Sequence, residues 1–147
     1  GRMPQKIQDF CRETGQSVPQ SEGEIARCAL ESLALKYRNV LENIETMTGR
    51  RIERIHIVGG GSKNTLLNRL AADATGRLVQ AGPVEATAIG NILVQAMCAG
   101  EIGSLEEARR IARDSFPMET YEPKETARWE EAYARFRSVC ATGEARF

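Results

Sequence analysis

The stretch that decides the fold runs from Ile55 to Gly76 and reads IHIVGGGSKNTLLNRLAADATG. It belongs to a β-branched run, RIERIHIV. Ile55 and Ile57 fall on one face of that run and Arg54, His56 and Val58 on the other, the alternation of a strand. Gly59, Gly60 and Gly61 follow. A helical pattern then runs from about Asn64 to Thr75, with Leu66, Leu67 and Leu70 as its apolar residues and Gly76 as its stop. Three consecutive glycines raise the entropic cost of folding, so this backbone is expected to lie close to something. Glycines between a strand and a helix N-terminus leave main-chain N–H groups bare. Such a place favours anions and lets a flat ring lie on the chain without meeting a Cβ.

Two phosphate motifs can be tested on these residues. A Walker A loop needs Ser or Thr after its lysine, and Lys63 is followed by Asn64. The dinucleotide fingerprint needs a third glycine where Asn64 stands. It also needs an acid closing a second strand, and RLVQA ends in Gln80 and Ala81. Both motifs fail. Asn64 suits either of two roles: a cap for the following helix, or an amide aimed at a ligand over the glycines. The alternative to any ligand is a plain strand-to-helix turn.

Working outward, Ser21 and Glu24 have capping-box spacing, and a helix is predicted from Glu22 to about Thr48, ended by Gly49. Ile25, Ala29, Leu33, Tyr37, Val40, Ile44 and Met47 form an apolar stripe that Ala26, Leu30, Ala34 and Leu41 widen, as expected of a helix packed on a sheet or in a bundle. Pro4 to Thr14 reads as a shorter helix before it. Downstream, RLVQA is a second strand and GPVEAT a turn that opens a helix from Glu85 to Ala99. Ser104 and Glu107 repeat the capping-box spacing before another helix. FPMETYEP, broken by two prolines, is extended, and a last helix runs from Lys124 to Cys140. Trp129, Tyr133 and Phe136 at helical spacing read as its core stripe, with no basic groove to make them a base-stacking platform. Strands alternating with helices predict α/β layering and a parallel pair. Two strands make a thin sheet for 147 residues, so the chain is expected to be a piece whose other strands lie elsewhere.

Composition narrows the function classes. Twenty basic and twenty acidic residues cancel, which argues against a nucleic-acid footprint. No apolar run reaches 18 residues, so no membrane span is expected. GRMPQKIQDF lacks the apolar core of a secretory signal, and a cytoplasmic location is expected. Cys11, Cys28, Cys98 and Cys140 are too scattered for a zinc knuckle and read as reduced thiols; with a single histidine, no metal site is expected. His56 is expected to face solvent or a neighbouring strand, Lys63 to be a surface lysine, and Asp73 to be solvated or paired with Arg69 or Arg77.

IHIVGGGSKNTLLNRLAADATG followed by PVEATAIGNILVQAMCAG resembles the adenosine motif and following helix of the FGGY carbohydrate kinases. The upstream helix IARCALESLALKYRNVLENIE is similar to the long helix that precedes that strand in the family. The likeness covers about Met3 to Pro123, and overall similarity points to members that phosphorylate L-rhamnulose. The resemblance implies an α/β fold: the C-terminal portion of an actin/hexokinase-like, ribonuclease H-like ATPase domain, helix-rich with a small partial sheet. Residues 1–147 would be a single-domain fragment of the ATP-binding domain of a two-domain sugar kinase. By the same resemblance Gly60, Gly61 and Asn64 contact the adenosine of ATP, with Gly59 beside them, and the helix from Glu85 to Gly90 flanks the adenine pocket. The family's catalytic aspartate, phosphate-binding turns, magnesium site and most sugar contacts lie upstream. No catalytic residue is therefore expected in this chain, and Asp9, inside a helix, is a poor candidate. The implied reaction is ATP plus L-rhamnulose giving the 1-phosphate. The competing readings are another FGGY sugar kinase, of the xylulose or glycerol type, and a stand-alone nucleotide-binding or interaction module without chemistry.

Overall fold

The computed structural model describes residues 2–144. Six helices and three strands alternate in the order α1 (Met3–Glu13), α2 (Glu22–Thr48), β1 (Arg54–Ile57), α3 (Thr65–Thr75), β2 (Leu78–Ala81), α4 (Ala86–Cys98), α5 (Leu105–Ser115), β3 (Glu119–Tyr121) and α6 (Thr126–Glu144). Helix boundaries follow local chemistry. The Ser21 side chain accepts from the Glu24 N–H, while the Glu24 carboxylate accepts from Ser21 N–H, closing the capping box that starts α2. Gly49 ends α2 at φ 65°, a left-handed conformation that glycine adopts without penalty. Ser104 caps α5 by accepting from Glu107 N–H.

The sheet has the order β1-β2-β3. β1 and β2 are parallel, Arg54 opposite Leu78 through Ile57 opposite Ala81. The third strand is a correction to the two-strand reading. Within the extended FPMETYEP segment, Glu119–Tyr121 pairs antiparallel with β2, placing Tyr121 opposite Val79. The two prolines that mask the strand in the sequence sit outside its three paired residues.

α3 is the centre of the molecule. On one side Leu70 and Ala74 join Ala34 and Leu35 of α2 and Trp129 and Tyr133 of α6 in a buried cluster. On the other side Ala71 and Ala72 meet Val79 and Ala81 of β2 and Tyr121 of β3. Small residues at 71, 72 and 74 let both layers approach the helix closely. The Trp129–Tyr133–Phe136 stripe is core, as its spacing predicts, with Phe136 partly buried against the first cluster.

Polar groups tie this region together. The Arg38 guanidinium forks onto both carboxylate oxygens of Glu130 at 2.9 Å, bonds Glu42 at 2.9 Å, and lies 4.2 Å from the centre of the Tyr133 ring. The Tyr133 hydroxyl donates to Glu42 at 2.8 Å; burial, then this carboxylate, pushes its pKa up. Asp73 departs from expectation. It pairs with neither Arg69 nor Arg77 but is buried, its Oδ1 accepting from the backbone N–H of Lys124 at 2.7 Å and of Glu125 at 3.4 Å. A carboxylate there pins the entry to α6. Arg77 turns instead to Glu45 and to the Ile52 carbonyl, which it reaches at 2.6 Å.

The apolar stripe of α2 needs a second correction. Its covered flank holds Ala34, Leu35 and Leu41, whereas Leu33, Tyr37, Val40, Ile44 and Met47 are exposed. α3 and α6 take one flank of the helix, through Arg38 and the aromatic cluster, and leave the row beside it bare. α1 lies against α2, where the Cys11 thiol is pushed up first by burial and then by the neighbouring Cys28. All four cysteines are free thiols.

Candidate functional site

The four residues singled out by the sequence, Gly59, Gly60, Gly61 and Asn64, sit together on the connection from β1 to α3. Gly59 has φ 77° and ψ −164°, a region open essentially to glycine alone. That conformation turns the chain out of β1 into a short 3₁₀ turn over Gly60–Lys63. The segment after β2 holds it from beside. Gly59 N–H donates to the Pro83 carbonyl at 3.0 Å, and Gly82 N–H donates to the Ile57 carbonyl at 2.8 Å.

Gly60 and Gly61 differ from Gly59 in kind. Neither has a positive φ, and a Cβ placed on either would meet nothing within 4 Å. Both are exposed. Nothing in the described chain requires glycine at these two positions. Among the described residues nothing stands over Gly60 and Gly61, and the turn there is an open shelf of main chain.

Below the shelf is a support that sequence reasoning missed. Asn68 is fully buried, and its amide donates to the Ser62 carbonyl at 2.8 Å. Ser62, itself buried, returns both its N–H and its hydroxyl to the Gly59 carbonyl, at 3.0 and 2.7 Å. The Asn68 Oδ1 has no hydrogen-bond partner among the described residues. The available signal was a polar residue at 68 flanked by the buried Leu67 and Leu70. Asn64 takes the first of its two possible roles: its Oδ1 accepts from Leu67 N–H at 3.0 Å and caps α3. That leaves its amide N–H groups for anything lying above the shelf. Lys63 is exposed at the end of the turn, and His56 is exposed on β1.

Two surface depressions lie elsewhere. One, of about 170 Å³, is lined by Arg38, Asp73, Gly76, Arg77, Thr126 and Glu130, whose charges are already answered by one another and by neighbouring groups. Another borders β3 at Arg69, Glu119, Tyr121 and Lys124. The Tyr121 hydroxyl is bonded to Glu119 there, and that bond, then burial, raises its pKa. Among the described residues no three His, Cys, Asp or Glu side chains come together as a metal cage requires. Asp9 lies on the surface of α1, held by Gln5 and Arg12. The segment beside the shelf, Glu85–Gly90, opens α4, where Ala88 and Gly90 are exposed and a Cβ on Gly90 would meet nothing within 4 Å.

With this geometry in place, comparison with known proteins decides the family. The model of the FGGY family of carbohydrate kinases, C-terminal domain, matches residues 1–99, which include β1, the glycine shelf and α4. The chain belongs to the FGGY family of carbohydrate kinases. Among FGGY relatives, the rhamnulokinase of Bacteroides thetaiotaomicron is 49% identical over 136 residues, covering 92% of this chain and 28% of that protein. The rhamnulokinase of Bacillus subtilis is 44% identical over 126 residues, 86% of this chain and 26% of that protein. The crystal structure of xylulose kinase from Rhodospirillum rubrum superposes with a TM-score of 0.64 at 24% identity, over 87% of this chain and 26% of that one. The fold is therefore the one implied by the FGGY resemblance. The chain spans about a quarter of the length of the curated relatives it matches. No described helix is long and apolar enough to cross a membrane.

Proposed function

We propose that this chain supplies the adenosine-binding shelf of an ATP-dependent sugar kinase acting on L-rhamnulose, as one fragment of its ATP-binding domain. One observation carries the reading. Gly60 and Gly61 have no conformational or packing need to be glycine within the described chain, and a purine lying on their backbone supplies that need. Gly59 makes the turn, Ser62 and Asn68 hold its height, and Asn64 offers amide donors beside it. The rhamnulose assignment rests on relatives that are 44–49% identical and named rhamnulokinases.

In this reading the chain positions nucleotide and performs no proton transfer. The resemblance to the FGGY kinases assigns the base that takes the sugar proton and the magnesium that neutralises the phosphates to the part of the protein upstream of this chain. Holding ATP in a fixed pose converts phosphoryl transfer into a positioned, effectively unimolecular event.

NMR titration with ADP tests the shelf. The Gly60 and Gly61 amides are expected to shift at millimolar ADP. Asn64→Ser keeps a capping oxygen but loses the amide, so the melting temperature should hold while affinity falls by about 0.5–1.5 kcal/mol, the value of one neutral hydrogen bond. Glycine amides that stay unmoved would remove the site. The chain alone is expected to show no transfer of phosphate from ATP to L-rhamnulose in a coupled assay.

A further inference from the structure

We propose that Tyr121 is a positioning residue for the nucleotide: it stands on β3, outside the matched family region, and its hydroxyl acts on the glycine shelf through Asn68 and Ser62. The inference rests on the adenosine reading above and deepens it, because it names what steadies that surface from a strand remote in sequence.

Ser62, Asn68, Tyr121 and Glu119 form a hydrogen-bonded line. Asn68 lies one helical turn before Ala71 and Ala72, so it shares the face of α3 that packs on Tyr121. It is fully buried there. An asparagine amide carries two N–H donors and one carbonyl acceptor. One N–H goes to the Ser62 carbonyl at 2.8 Å. The other serves the Tyr121 oxygen. The Tyr121 pKa is raised first by its bond to Glu119 and then by burial, and a hydrogen bond from Asn68 works in the opposite direction, as a bond donated to a phenol oxygen does. The Tyr121 hydroxyl in turn donates to the Glu119 carboxylate, and that charged acceptor makes the phenol oxygen a better acceptor for Asn68. At the other end Ser62 gives both its N–H and its hydroxyl to the Gly59 carbonyl.

The one atom of the line left over is the Asn68 Oδ1. A buried acceptor without a partner costs stability, and asparagine is a poor helix former. What holds Asn68 in place is its donors, one aimed at the shelf and one at β3. The segment leading into β3 reaches the same turn by a second route. Gly82 backs onto it so closely that a Cβ would stand 3.0 Å from the Pro117 carbonyl oxygen. The neighbouring Pro83 carbonyl takes the Gly59 N–H at 3.0 Å. Both routes end on Gly59, whose φ of 77° launches the turn, and Gly60 and Gly61 follow it directly.

Tyr121→Phe tests the proposal, since the ring stays in the cluster of α3 with the sheet while the hydroxyl is lost. In the nucleotide-free chain the Gly59–Lys63 amide signals are expected to shift and their exchange to quicken. ADP affinity should fall about threefold or more, within the worth of one hydrogen bond. Glu119→Ala, at the exposed end of the line, removes no buried side chain and should move the same amides in the same direction by less. Thr120→Ala, on the opposite face of the strand, should move neither the amides nor the affinity. Ser62→Ala takes one bond from the Gly59 carbonyl. Combined with Tyr121→Phe, it should lose less affinity than the product of the two single losses, because both act through one line. Losses that multiply in full overturn the proposal, as do shelf amides that stay in place in Tyr121→Phe. A parent chain that binds ADP no better than its Tyr121→Phe variant overturns this inference alone. A parent whose Gly60 and Gly61 amides ADP leaves unmoved removes the adenosine reading, and this inference with it.

Discussion

The two ends of α3 live in different surroundings. Its C-terminal half, Leu70–Thr75, is enclosed by α2, α6 and the sheet, and the charged groups around it have partners within the chain: Asp73 on the α6 backbone, Arg38 on Glu42 and Glu130, Arg77 on Glu45. Its N-terminus carries the glycine shelf, beside a helix, α4, with no buried residue. One region is satisfied by its own sequence and the other is not. The difference separates what this chain needs for itself from what it presents to something else. The matched family region, residues 1–99, takes in the shelf, α4 and most of the enclosed region, while Trp129 and Tyr133, which close the core, lie beyond it.

The largest expected effect tests that separation directly. Trp129→Ala removes a buried ring from the α2–α3–α6 cluster and should cost about 3–5 kcal/mol, a large share of the stability of a small domain. Ile92→Ala, on α4, should change stability by less than about 0.5 kcal/mol. Urea titration followed by circular dichroism measures both. Equal losses would mean that α4 is supported from within, and the comparison would break.

Asn68 stands between the two regions, buried like the core yet bonded to the shelf. Asn68→Ala leaves the Ser62 carbonyl without its donor and should cost about 1–3 kcal/mol. Amide exchange should quicken locally at Ser62–Asn64 before the core opens. Gly59→Ala should produce a loss of similar size for a different reason, since φ 77° with ψ −164° strains any residue with a Cβ. If either substitution leaves exchange at the shelf unchanged, the shelf does not depend on the support described.

How much of this was legible beforehand follows the same division. Features set by a few neighbouring residues could be read: the capping box at Ser21 and Glu24, the left-handed stops at Gly49 and Gly76, the parallel β1–β2 pair, and the aromatic stripe of α6. Features set by contacts distant in sequence could not. Helical spacing offers Asp73 only solvent or the nearby Arg69 and Arg77, while its partners are backbone groups about fifty residues on. β3 pairs only three residues, too few for an alternation pattern to register. The α2 stripe marked an apolar surface correctly but could not reveal that this chain covers only one flank of it. At the shelf, the glycines and the capping asparagine were visible, and the role of Asn68 was not, since a polar residue among leucines marks the position without naming the Ser62 carbonyl it bonds.

Glu45 sharpens the comparison from the satisfied side. The Ile52 N–H, and then Arg77, hold its carboxyl below the usual glutamate range. A lowered folded-state pKa means that the stabilisation is complete above the unfolded value, about 4.5, and is lost as pH falls through the folded value. Melting temperature followed from pH 7 to pH 3 should therefore fall more steeply in the parent than in Glu45→Gln, with the two curves converging in acid. A constant offset across that range would show that the Glu45–Arg77–Ile52 cluster contributes nothing that depends on charge.

The smallest effect on stability belongs to Gly60→Ala, and it is the most informative about the open region. Gly60 has no positive φ and open space where a Cβ would stand, so alanine should leave stability unchanged or raise it by about 0.4–1 kcal/mol, through a less flexible unfolded chain. A protein selected only to fold has no reason to keep glycine at such a position. If the main chain is kept bare for a purine, the added methyl group stands where the ring must lie, and ADP affinity should fall although the fold is as stable as before or more so. Thermal melts and ADP titration on the same sample separate the outcomes: stability kept with affinity lost marks a surface reserved for a ligand. Stability kept with affinity also kept would leave Gly60 without a reason in either region and remove the observation on which the nucleotide reading stands.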